Sequence, residues 1–408
     1  MRIALIILIV LALIAGGLAA YLAFTTPHAA APLRMPLTNA QRALLAHAGA
    51  DADTLAYIPR AAVLRAKLLA NPVTRDAVER WTSAESTPPP WLLGGADVVL
   101  WHSEKRTSYA VRLDALRAWL ARAWLSFATN ADARWDGDLL LMNAPVEPMI
   151  GDAALAPILQ LASGLPEGDV FIVQREGGRG AFPPIARPAV SSVRVAASDL
   201  VVVSRANADE TNSAPHAPVV ARFPRGALLS ATFAAPPRIL GDVRRLLLGI
   251  DIQSLVDDGG SIALYDVDAG TLLPRPNGVI VIPANEKTRA AVDPIVRAAE
   301  LVGETRDTGS ELLVAVDRTS LPLYLKDTFV PATWPANGWA LRIDPKRFVP
   351  LLGKLGDNTG LRFAAPRIHR AARDLRRWIG ALEQAEAIEA ADSVNGGVEE
   401  LRVRVASK

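Results

Sequence analysis

The chain has 408 residues, half of them apolar and about a fifth charged, the make-up of folded globular material rather than a disordered stalk. Cysteine is absent, which removes thiolate nucleophiles, Cys-ligated zinc and thiol redox chemistry together. The net charge is only +2 and all but seven of the 44 basic residues are Arg, so no basic surface for nucleic acid is implied.

The first element is Ile3–Phe24, an apolar run without a single charge. As a helix it reaches roughly 33 Å at about 1.5 Å per residue, enough to cross a hydrocarbon layer of about 30 Å. Only Arg2 and the α-amino group precede it, and no Lys or Arg follows until Arg34. The positive-inside bias then places the N-terminus in the cytoplasm and the remainder outside, as expected of a protein anchored in a bacterial inner membrane with a periplasmic body. A cleaved signal peptide is the competing reading. The run exceeds the usual h-region of about 7 to 15 residues, and Pro32 follows the small-residue triplet Ala29-Ala30-Ala31.

Residues 25–40, rich in Ala and Pro, read as a linker. Asn39 is placed to cap a brief helix through Leu45. Asp53–Arg60 reads as a strand and Ala61–Ala70 as a helix. Asn71-Pro72 then suits a cap and first helical residue for a second helix ending near Trp81, with Val73, Ala77 and Trp81 on one side. Asp97–His102 and Ser108–Leu113 form a hairpin pattern. Asp114 caps a helix whose apolar stripe runs Leu116, Leu120, Ala123, Trp124 and Phe127, widened by Trp119. A strand at Leu139–Met142, a helix over Asp152–Ser163 closed by Gly164, and strands at Asp169–Arg175, Ser192–Ala197 and Leu200–Arg205 complete the first half.

The polar segment Asn207–Pro218 lacks periodicity and marks a domain boundary or long connection. Beyond it, strands are expected at Ala227–Phe233, Ser261–Asp266, Gly278–Ile282, Glu311–Val316, Leu321–Leu325 and Trp339–Ile343. Helices are expected at Pro237–Leu248, after the cap Asn285, after Asp344-Pro345 as far as Gly356, and from Pro366 with a stripe of Ile368, Ala372, Leu375, Ile379 and Leu382. Asn395-Gly396-Gly397 signals a closing hairpin turn. Recurrent hairpins mixed with amphipathic helices favour an α+β fold over a doubly wound parallel sheet. The expected organisation is an anchor (1–24), a linker (25–40), an α+β domain (41–206), a connection (207–218) and a second α+β domain (219–408). The element order suggests that the two domains are duplicates.

Ala50-Asp51-Ala52-Asp53-Thr54-Leu55-Ala56-Tyr57, an Ala/Asp-rich lead into a short strand ending in Tyr and followed by a helix, resembles the opening of a bacterial family of uncharacterised membrane-anchored envelope proteins. The resemblance implies location and broad fold, and brings no catalytic residues with it.

No chemistry-bearing motif stands out. The five His residues, at positions 28, 47, 102, 216 and 369, include no pair spaced for a zinc helix, and no G-x-S-x-G elbow is present. Asp266-x-Asp268-x-Gly270 starts like a calcium loop, but Asn277 stands where its twelfth, acidic ligand belongs. Asp257-Asp258-Gly259-Gly260 reads as a turn. Gly177-Gly178-Arg179-Gly180 lacks the Lys-Ser/Thr of a phosphate loop. No catalytic, metal or cofactor residues are assigned.

Two surfaces are candidates. Trp81, Trp101, Trp119 and Trp124 would line a groove for an apolar ligand or partner, and Arg370, Arg373 and Arg377 would face anionic lipid. The leading expectation is a non-enzymatic binding or assembly factor for another envelope component. The alternatives are a carrier or sensor of a lipid or peptide and a hydrolase whose triad assembles from distant segments.

Overall fold

The structure, a computed structural model, describes residues 31–82, 96–103, 106–127, 132–144, 149–175, 188–208, 221–234, 259–270, 274–290, 292, 303–315, 317–364, 366–376 and 378–407. The apolar segment Ile3–Phe24 lies outside these residues, as do Pro237–Leu248, Gly177–Gly180 and most of 207–218. Among the described residues no helix is long and apolar enough to cross a membrane. The fold is mixed α+β, with antiparallel strand pairing throughout, in two compact units. One comprises the described residues up to Ala197 with Val202–Asn207; the other comprises Ser198–Val201 and the chain from Ala208 onward.

In the first unit, helix α1 (Asn39–Leu45) leads to β1 (Thr54–Ile58), α2 (Ala61–Ala70) and α3 (Pro72–Thr82). The cap of α1 is Thr38 rather than Asn39: Thr38 and Gln41 exchange backbone-to-side-chain bonds at 2.8 and 3.3 Å, a reciprocal arrangement that Asn39 could not make one residue later. Asn71 does cap α3. It is fully buried, accepts from the Val73 amide at 3.0 Å and donates to the Ala196 carbonyl at 2.7 Å. Next come β2 (Asp97–Ser103), β3 (Arg106–Arg112), α4 (Ala115–Phe127), β4 (Ala133–Asp136), β5 (Leu139–Met142), α5 (Gly151–Gln160), β6 (Val170–Gln174), β7 (Ala189–Val195) and β8 (Asp199–Asn207). Strand β4 is absent from the sequence reading, although Asp136-Gly137, with Gly137 at φ +60°, is a hairpin signal. The strand order is β4-β5-β3-β2-β1-β6-β7-β8.

Asp114 caps α4, accepting from the Arg117 amide at 2.9 Å. The helix turns its buried side through Arg117, Ala121 and Trp124 instead of Leu116 and Leu120, so Trp119 points outward. Its core partners are Val98, Tyr109, Val111, Leu140 and Met142. Alternation along β2 puts Trp101 on the opposite sheet face from Val98.

The second unit opens with β9 (Arg222–Pro224), β10 (Leu229–Phe233), β11 (Gly260–Asp268), β12 (Arg275–Pro283), β13 (Glu304–Asp307) and β14 (Glu311–Ala315). Helix α6 (Ser320–Lys326), β15 (Phe329–Pro331) and β16 (Trp339–Ile343) follow. Then come α7 (Pro345–Asp357), α8 (Thr359–Ala364), α9 (Pro366–Arg376), α10 (Ile379–Glu383), β17 (Ala385–Asn395) and β18 (Val398–Ser407). The strand order is β13-β14-β12-β11-β10-β16-β17-β18, with β9 and β15 in a separate ribbon. Counted within each unit, and leaving the ribbon aside, both orders read 4-5-3-2-1-6-7-8.

Two expectations fail here. Leu321–Leu325 is helical, because the Asp317 carboxylate accepts the amides of Thr319 and Ser320 at 2.7 and 2.9 Å and starts a helix. The alternating leucines imitate a strand, yet Leu321 is buried while Leu323 and Leu325 are exposed. The long C-terminal helix is also broken, ending at Arg376 before α10 begins at Ile379. The closing hairpin forms at Gly396 and Gly397, with φ +57° and +79°, the backbone that a two-residue turn of this hand requires.

Candidate functional site

The only connection between neighbouring core strands that the second unit fills with four described helices is β16 to β17. Its start is firmly placed. Asp344 accepts from the Lys346 amide at 3.0 Å, and Pro345 at the first helical position loses no bond. Arg347, on the first turn of α7, donates to the carbonyls of Gly226 and Tyr265. The Tyr265 hydroxyl donates to Asp327 at 3.1 Å, and Asp327 also accepts the Gly226 amide at 2.9 Å. Burial, then the Asp327 carboxylate, pushes the Tyr265 phenol above its ordinary value, so it stays a neutral donor. Val349, Leu351 and Leu352 bury the inner side of α7.

At the far end of α7, Asn358 accepts from the Leu361 amide at 2.8 Å and starts α8. Arg376 returns from the end of α9 to this corner, donating to the Gly353 carbonyl and pairing with Asp357 at 2.6 Å. Gly356 permits the approach: a Cβ there would stand 2.8 Å from Arg376 Nε. The hydrogen bond from Arg376 holds the Asp357 carboxyl below the usual carboxylate range.

Two open hollows flank this corner. One, of about 310 Å³, is lined by Gly356, Asp357, Thr359, Arg362, His369, Arg373 and Arg376. The other, of about 780 Å³, lies between the corner and the β11–β12 turn, where Asp266, Asp268 and Lys354 join Asp357, Asn358 and Thr359. The first is cationic: three Arg face one Asp, which Arg376 already neutralises. Arg362 and Arg373 are exposed and make no ion pair among the described residues. The same run of helices carries Phe363, next in sequence to Arg362 and 76% exposed, and Trp378, 45% exposed, the former the most exposed large apolar side chain among the described residues.

The residues expected from sequence fare unevenly. Trp101 is core at 1% exposure, Trp124 packs into the α4 core on the other side of the sheet, and Trp119 is 61% exposed. These three therefore share no cleft. Trp81 sits in the last turn of α3. Arg370 and Arg373 are exposed on α9, while Arg377 lies outside the described residues. The Asp268 carboxylate accepts the Gly270 amide at 3.0 Å, as a turn requires, and among the described residues no three His, Asp or Glu side chains gather in a way that could hold a metal ion. Sequence reading groups Arg373 with Arg376 on the last helix and misses Arg362, Phe363 and His369 as their neighbours. Their common signal was the density of Arg between positions 362 and 377, interrupted by few acids.

No family model, curated protein or solved structure matches the chain.

Proposed function

We propose that the chain is an extracytoplasmic binding or assembly protein, held to a membrane by Ile3–Phe24 and acting through the helices inserted between β16 and β17. Its body is two copies of one α+β fold; the shared strand order supports this, as does a polar cap directly after the third core strand of each unit, Asp114 and Asn285. The observation that carries the functional reading is the asymmetry between the copies. The β6–β7 connection spans only 175–188, whereas β16–β17 holds α7 to α10, with exposed Phe363 and Trp378 and exposed Arg362 and Arg373, which form no ion pair among the described residues. Exposed aromatics beside unspent cations are the residues enriched where surfaces bind. The first-unit tryptophans give no comparable support to an apolar-ligand carrier, since the sheet separates Trp101 from Trp124.

Two experiments test this. Protease treatment of spheroplasts should degrade the body, and a body as resistant as a cytosolic control removes the anchor reading. A photo-crosslinking residue at Phe363 or Trp378 should give a discrete adduct in cells, with none from position 119. Equal labelling at all three removes the insertion as the binding surface.

A further inference from the structure

We propose that the hollow lined by Arg362, His369, Arg373 and Arg376 is a binding site for a phosphate ester. The inference rests on the reading of the inserted helices as the binding surface and names the ligand chemistry there. Three guanidinium groups line one space of about 310 Å³ with a single acid, Asp357, which forms its ion pair with Arg376 and whose charge Arg373 and His369 also feel. Clustered guanidinium groups that outnumber their acids are unfavourable for the bare protein, and a phosphate oxyanion relieves that repulsion. Guanidinium presents planar pairs of donors that match adjacent phosphate oxygens, so Arg362 and Arg373 are suited to forked bonds that Lys could not make. Thr359 adds a hydroxyl to the same lining. Arg376 acts by positioning: clamped by Asp357 and the Gly353 carbonyl against Gly356, it fixes the α7–α9 corner that brings the other two together. Arg370, exposed on the same helix, does not line the hollow and marks the difference between a site and a charged face.

The phosphate ester has two sources, a soluble metabolite or a lipid headgroup, which the test separates. Full-length protein in phosphatidylcholine nanodiscs is titrated by calorimetry with glycerol 3-phosphate, and separately with vesicles containing phosphatidylglycerol. Saturable binding of either probe is expected. Loss of one forked contact in R362Q or R373Q should weaken it about tenfold, and R370Q should leave it unchanged. Unchanged thermal unfolding of the variants establishes that they fold. Binding of glycerol 3-phosphate alone assigns a soluble ligand, and binding of the vesicles alone a headgroup; either supports the site. No binding of either probe overturns it, as does equal weakening by R370Q. Those failures leave the Phe363 and Trp378 crosslinks standing, whereas loss of the crosslinks with phosphate binding intact overturns the partner surface alone.

Discussion

The two units carry out one strand plan with different investments. In the first, large side chains close the sheet: Trp101, Tyr57, Phe171 and Leu55 are all buried at 1% exposure or less. In the second, small residues line much of β16 and β17, Ala340, Ala390 and Ala391 among them, and a charged ladder crosses these strands. Arg342, Glu389 and Arg404 stand side by side on β16, β17 and β18, and Glu389, buried, also accepts from the Thr333 hydroxyl. The first unit is thus held by apolar bulk. The second uses polar pairing on strands whose connection holds helices α7 to α10, and that connection both buries Val349, Leu352 and Leu361 and exposes Phe363.

The sharpest way to break this contrast is in the first unit. Trp101→Ala should cost about 4 kcal/mol of the first unit's stability through a buried cavity, read by chemical denaturation. A cost below about 1 kcal/mol would remove the claim that bulk closes this sheet. In the second unit Glu389→Ala strands the Arg342 guanidinium without its carboxylate, and should cost about 3 kcal/mol. A matching loss from Arg342→Ala, with a double variant no worse than either single one, would locate the effect in the pair. Asn71→Ala removes a cap and a buried bond to Ala196, an expected loss of about 2 kcal/mol.

Acidification gives a further test in the second unit, at Asp317. Burial works against ionisation of Asp317 more than any single contact, yet donors from Ser320 and Thr319 together hold its carboxyl below the usual range. A depressed folded-state value means that stability is present above the unfolded carboxylate range, near pH 4, and is lost as pH falls through the folded value. Helix α6 should therefore lose protection against hydrogen exchange on acidification below about pH 4, and Asp317→Asn should flatten that dependence. The smallest effect belongs to the insertion's surface: Phe363→Ala should change stability by no more than about 0.5 kcal/mol while abolishing the in-cell adducts made from Trp378. A large stability loss would make Phe363 a packing residue.

Much of this architecture was legible because local chemistry and tertiary packing agree. Asn71-Pro72, Asp114, Asn285, Asp344-Pro345 and Gly396-Gly397 each act where their side chains or backbone freedom predict. The failures share a cause. Leu321, Leu323 and Leu325 have strand periodicity, but the deciding interaction is a carboxylate upstream, at Asp317. On α4 the apolar stripe was read from Leu116, whereas the buried side includes Arg117, whose guanidinium pairs with Asp114. The cationic hollow is half visible in the sequence: the run of Arg on the last helix includes Arg373 and Arg376, but Arg362 joins them from α8 and Asp357 holds Arg376 against the end of α7. Such convergence depends on how three short helices fold back, which periodicity along one helix does not encode.

The central claim about ligand chemistry, that the hollow among α7 to α9 of the second unit binds a phosphate ester, is tested most directly by hydrogen exchange on the full chain alone, with glycerol 3-phosphate and with phosphatidylglycerol vesicles. The account predicts exchange slowed over residues 358–376 by at least one probe and by neither over α4, a helix of the first unit that carries Arg117 and Arg122. Unchanged exchange at 358–376 with both probes, or equal slowing in α4, would contradict it.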